Sequence, residues 1–240
     1  MTENSANSRL EDEERKAVVR GERVGRTLER IDPFLGPQLV VGAAILLDLS
    51  LPDKLTLGPT WLLPSFEGVL LIGLMIATPH RRVRYSPTRR YIAMGLIGMV
   101  SLFNIVSLVL LSHYLLHHGT SSSEGRPLIL AGIVLWVTNV LLFSLWYWEL
   151  DRGGPLSRME TPEAMPDFLF PQMTEPRHAP AGWMPGLIDY LYVSFTNATA
   201  FSPTDTMPLT PFAKILMSLQ SLTSLLTIGL VVARAVNILQ

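Results

Sequence analysis

This sequence predicts an all-α integral membrane fold, with about five transmembrane helices and a short re-entrant helix before the last. Three observations carry that prediction. The 240 residues are 48% hydrophobic and only 16% charged, against roughly 25% charged in an ordinary soluble domain. The charges are bunched: seven of the nineteen basic residues precede Asp32, and five more lie between Arg81 and Arg90. Between these clusters run long apolar segments, and just before the last of them comes a helical pattern too short to cross a bilayer.

In chain order, residues 1–32 form a soluble charged N-terminal segment, with Glu and Arg at i,i+4 spacing (Glu11–Arg15, Glu22–Arg26) that suits a solvated helix. Residues 33–150 form a four-helix transmembrane region. Its spans are Phe34–Leu51, Trp61–Thr78, Tyr91–Leu116 and Pro127–Trp148. A hydrocarbon core about 30 Å thick needs roughly 20 helical residues, so the first two are minimal. The fourth ends in Trp146-Tyr-Trp-Glu-Leu-Asp-Arg152, aromatic residues beside charges, as at the headgroup level. Residues 151–185 form a linker with seven prolines and three glycines, which argues against regular secondary structure. Phe168, Phe170, Met173 and Trp183 make it too apolar for a free linker, so it should pack on the bundle. Residues 186–240 hold a short helix over Leu187–Thr199, a polar turn and the last span, Pro211–Leu239. On the short helix, Leu187, Leu191, Ser194 and Phe195 share a face flanked by Tyr190 and Val193.

The loop Pro79–Arg90 holds five arginines and no acid, and the positive-inside rule places it in the cytoplasm. Parity then puts the N-terminus in the cytoplasm and the C-terminus outside, in the cell's inner (cytoplasmic) membrane. A net charge of −1 argues against a nucleic-acid partner. The absence of cysteine excludes disulfides and thiolate metal sites. With no nucleophile–base pair, P-loop or dinucleotide fingerprint, neither an enzyme nor a cofactor is expected.

The run Tyr192-Val-Ser-Phe-Thr-Asn-Ala-Thr199, followed by Asp205-x-x-Pro208-x-Thr210-Pro211-x-x-Lys214, resembles the pore region of potassium channels. That family joins a pore helix to a glycine-rich filter and then to Asp-x-x-Pro-x-Thr-Pro-x-x-Arg/Lys leading into the inner helix. The likeness covers the C-terminal fifth of the chain. It implies a pore-loop segment formed by Thr199, Ala200, Phe201, Ser202, Pro203, Thr204 and Asp205, a homo-oligomer such as a tetramer around a central axis, and an ion as ligand. Where the family carries Thr-Val-Gly-Tyr-Gly, this chain carries Ala200-Phe-Ser-Pro-Thr204. A potassium filter aims successive carbonyls at dehydrated ions, and its glycines reach backbone angles that Ser and Thr adopt poorly. Pro203 fixes its own φ and biases Ser202 toward extended backbone. The expected protein is therefore a relative of pore-loop cation channels without a potassium-selective filter, conducting with altered selectivity. By parity the loop enters from the cytoplasm, an inverted arrangement resembling glutamate-receptor pores. Trp146–Pro155, Asp167–Met173 and Phe195–Asp205 also look like an uncharacterised family of bacterial multi-pass membrane proteins.

Alternatives from other classes are a non-conducting membrane scaffold and a small-solute or proton-coupled transporter using Glu67. A carboxylate within a span is costly and should face protein or water. Asn104 and Asn139 are its expected intramembrane polar partners, or else interhelical hydrogen bonders. Asp48, near its span's end, is expected to reach the interface. His113 and His117, four apart, are weak metal candidates without a carboxylate in their turn. The remaining partner is the lipid bilayer.

Overall fold

The computed structural model describes residues 35–52, 55–56, 61–76, 87–117, 122–175, 177, 179, 182–199 and 205–239. These are mostly helical. The first four helices are α1 (Leu35–Asp48), α2 (Leu62–Ile76), α3 (Pro87–His117) and α4 (Ser122–Leu150). Pro87 opens α3, where a fixed φ and a missing donor suit the first helical position. Three stretches, Arg90–Leu115, Pro127–Gly153 and the later Pro211–Val236, are long and apolar enough to cross a membrane. The first two apolar segments form helices of 14 and 15 residues, about 21–23 Å long, so three of the five expected segments reach full spanning length.

After α4 come a 3-10 turn (Asp151–Gly153), α5 (Pro155–Glu160), β1 (Phe168–Leu169) and α6 (Pro171–Thr174). Then follow α7 (Leu187–Thr199), β2 (Met207–Pro208) and α8 (Pro211–Leu239). The linker is thus more regular than its proline content predicts. Pro155 and Pro171 each stand at a helix start, where proline is favoured rather than disruptive. β1 pairs antiparallel with β2, Phe168 opposite Pro208 and Leu169 opposite Met207. The next residue, Leu209, donates its N–H to Asp167 O at 2.8 Å.

The chain folds around α4, which packs against α1, α3, α7 and α8. Of its membrane-length window 56% is buried, against 39% for α3 and 22% for α8. The main core joins α1 (Ala44), α3 (Val100) and α4 (Leu145) to Phe168 and Phe170 of the linker. Phe168 lies 5.0 Å from the Tyr147 ring, and Phe170 lies 5.4 Å from Tyr190 and 5.9 Å from Trp183. The linker therefore packs on the bundle, as its aromatic content requires. A second core sets Leu51 and Leu55, beyond α1, against Leu108 and Leu111 of α3 and Leu128 and Leu135 of α4.

Gly132 lies at a close contact of α4 with α8: a Cβ there would collide with the Cγ2 of Val231. Gly132→Leu must push the helices apart. We expect a loss of about 1–3 kcal/mol, the usual cost of overpacking, read as a lower thermal midpoint in mild detergent. Gly73→Leu, at a position with nothing within 4 Å, is the matched control.

Candidate functional site

The site is assembled around α7. Gly186 precedes it, and its N–H donates to Asp189 Oδ2 at 2.8 Å, so an acid three residues on satisfies an orphan donor at the helix start. Along α7, Tyr190, Ser194 and Asn197 fall at i, i+4 and i+7 and share one stripe. This stripe turns inward. Tyr190, Val193 and Ser194 are fully buried while Phe195 is exposed, so Tyr190 and Val193 sit at the centre of the buried face rather than at its flanks. Hydrogen bonding, not apolarity, decides the rotation.

Each polar group of the stripe has a partner on α4, α8 or the linker. Ser194 Oγ donates to Val140 O at 2.7 Å. Gln220 Nε2 of α8 donates to Ser194 O at 3.0 Å and to Ser194 Oγ at 2.7 Å. Gln220 Oε1 accepts from Asn197 Nδ2 at 2.8 Å and from the Tyr147 hydroxyl. Asn197 Nδ2 also reaches Met217 O at 2.9 Å, and Ser221 Oγ donates to Asn197 Oδ1 at 3.0 Å. One turn further along α8, Ser224 Oγ accepts from Asn139 Nδ2 at 2.9 Å. Inside an apolar bundle such bonds persist because their alternative is an unpaired polar group in a low-dielectric interior.

The Tyr190 end of the stripe enters a second network centred on Asp151, which is fully buried. Asp151 Oδ1 accepts from the Asp167 N–H at 2.7 Å, and Oδ2 accepts from the Tyr190 hydroxyl and, at 3.4 Å, from Arg152 Nε. Asp167 in turn accepts from the Arg152 N–H at 2.9 Å and the Thr210 hydroxyl at 2.7 Å. Arg152 holds φ at +51°, a left-handed conformation costing roughly 1–2 kcal/mol for a side-chain-bearing residue; the bond from its N–H to Asp167 offsets that. Gly153 and Gly154 follow at φ +79° and +99°, and a Cβ on Gly154 would stand 3.1 Å from Glu149 O. Arg158 is buried too. Its Nη1 donates to Trp148 O at 2.6 Å and to Asp151 O at 3.0 Å, and its guanidinium stacks 5.1 Å over the Tyr190 ring. Burial pulls the Arg158 guanidinium below its ordinary pKa, and the neighbouring acidic groups Tyr190 and Asp151 act in the opposite sense. Arg90 of α3 closes the assembly on Glu149 Oε1 at 3.2 Å. Arg158, Asp167 and Gln220 were not singled out from sequence, because the Tyr190 ring over Arg158, the Thr210 hydroxyl on Asp167 and the partners of Gln220 all lie more than twenty residues away along the chain.

Thr199 ends α7 with its hydroxyl on Thr196 O at 2.9 Å. Ala200, Phe201, Ser202, Pro203 and Thr204 lie outside the described residues. Asp205 is exposed. The intramembrane candidates do not converge. Asn104 Nδ2 donates to Leu135 O at 3.1 Å and Asn139 to Ser224, so both join helices rather than serve Glu67. Glu67 is buried in α2, and Asp48 is buried at the end of α1 instead of reaching outward. Neither has a hydrogen-bond partner for either carboxylate oxygen. His113 is exposed and the side chain of His117 is outside the described set. Among the described residues no group of three His, Cys, Asp or Glu could hold a metal ion.

No family model, curated protein or solved structure matches this chain.

Proposed function

We propose that the chain is a multi-pass membrane protein of pore-loop architecture, with α1, α2, α3, α4 and α8 as spans and α7 as a re-entrant helix. It assembles with further copies of itself around an axis lined by Thr199–Asp205. The observation that carries this reading is α7 itself. Unlike α1 and α2, which also fall short of full spanning length, this thirteen-residue helix is held between α4 and α8 by a buried polar ladder. Irregular backbone at membrane depth is tolerated only where protein covers it or water lines it. The exposure of α8 supports assembly: Phe212, Ile215, Leu219, Leu222 and Leu226 remain uncovered in the single chain. The C-terminal end of α7 carries partial negative charge and favours a cation near Thr199. Selectivity differs from that of a potassium channel, because Pro203 and the missing glycines rule out its carbonyl geometry.

Native mass spectrometry from nanodiscs tests the assembly, and cation flux into liposomes tests conduction. Four copies with flux support the reading; a monomer leaves Thr199–Asp205 no axis to line and overturns it. Asp205 is the exposed acid beyond the loop. Asp205→Asn is expected to reduce cation flux several-fold at low ionic strength and much less at high salt, where screening weakens a surface charge. Unchanged flux at low salt would remove Asp205 from the path.

A further inference from the structure

Asp48 and Glu67 are absorbed by none of the networks above. They belong to neighbouring helices: a Cβ on Gly42 of α1 would lie 3.7 Å from Leu71 of α2, and Asp48 acts electrostatically on Glu67, so the two helices run antiparallel. From that contact, Asp48 is six residues on along α1 and Glu67 four residues back along α2. At 1.5 Å per residue the two carboxylates stand within about 3 Å of the same level. They are 8% and 1% exposed, and all four oxygens are buried without a donor.

An ionised carboxylate can only accept hydrogen bonds. Two of them, buried side by side with no donor, cannot both keep their charge: the desolvation cost is large and their repulsion adds to it. Among the described residues no base donates to either carboxylate. Arg90 is bound to Glu149 at the far end of α3 and α4, eighteen residues along α3, about 27 Å, from the Leu108 layer on which the α1–α2 connection rests. His113, nearer that layer, is exposed. The group that acts electrostatically on Glu67 is Asp48. A proton supplies the missing donor. It turns one acid into a hydroxyl that donates to the other and leaves one delocalised negative charge in place of two.

We propose that Asp48 and Glu67 form a proton-binding site, a carboxyl–carboxylate pair sharing one proton at neutral pH. The site is separate from the α7–α8 region and does not depend on the pore-loop reading. The proton is taken from and returned to solvent, with no covalent bond made or broken in the protein beyond that O–H.

The test is infrared spectroscopy of the full chain in nanodiscs at neutral pH, comparing wild type with Asp48→Asn and Glu67→Gln. The wild type is expected to show a protonated-carboxyl C=O band that shifts in deuterium oxide. Both variants should lose it, because an amide now supplies the donor and the remaining acid can ionise. Thermal stability gives a second readout. Each amide takes over the shared proton's place as donor to the remaining carboxylate, so both variants should fold and melt close to wild type. A wild-type spectrum without the band would mean that both acids are ionised and would overturn the proposal. So would a band that survives in both variants, since the proton would then belong to another group.

Discussion

Replacing Asp151 by alanine is expected to abolish the folded protein. The substitution removes the acceptor of the Tyr190 hydroxyl and of the Asp167 N–H, and it strips the buried Arg158 and Arg152 of a neighbouring negative charge. Breaking a buried charged network by deleting one partner costs about 3–5 kcal/mol, a large share of the 5–15 kcal/mol that stabilises a typical domain. Asp151→Ala should fail to give a monodisperse peak on size-exclusion chromatography in mild detergent. Asp151→Asn keeps the shape and one acceptor oxygen, so it should fold with a lowered melting temperature. Equal behaviour of Asp151→Ala and wild type would show that the network is not a source of stability.

The second large effect is expected at Gln220 of α8, where one side chain satisfies four polar atoms on two other helices, α4 and α7. Gln220→Leu leaves the Tyr147 hydroxyl without its acceptor and removes both donors to Ser194. Each buried group left unpaired costs about 1–3 kcal/mol. The informative comparison is a double-mutant cycle with Tyr147→Phe. Deleting both partners removes the orphan along with the bond, so the double variant should be more stable than the sum of the singles by about 0.5–3 kcal/mol. Additive losses would mean that Tyr147 and Gln220 do not communicate. The same variants separate structure from activity in the proposed pore: a loosened α7 should change flux before it prevents folding.

Much of the architecture was legible in the sequence because it depends on local rules. The helix expected over Leu187–Thr199 is α7 residue for residue, with Gly186 directly before it. The last span begins at Pro211 as expected. What stayed hidden depends on partners distant in sequence. Asp151 meets Tyr190 39 positions away, and Thr210 meets Asp167 43 positions away. No periodicity reports such pairs. The inward rotation of α7 was missed for the same reason: a polar stripe reads as a solvent face until the groups that bind it are known. Arg158 in a proline-rich linker reads as a surface cation, and only the rings of Tyr190 and Trp148 above it show why it is buried. The pairing of Asp48 with Glu67 needed the register of the α1–α2 hairpin, which spacing alone does not fix.

The Asp151 network also dictates an order of biogenesis. Asp151 and Arg158 are made before Tyr190, which gives a hydroxyl to the acid and a ring under the guanidinium, and Thr210 closes on Asp167 later still. A nascent chain that ends before Tyr190 therefore lacks one donor to Asp151 and the ring under Arg158, and it cannot close the linker onto β2. Completion waits on the arrival of α7 and the first turn of α8. Chains that stall or are cut before that point keep exposed charge and aromatic surface, the features by which chaperones and membrane proteases recognise unfinished clients. The linker is thus closed by residues that are made after it.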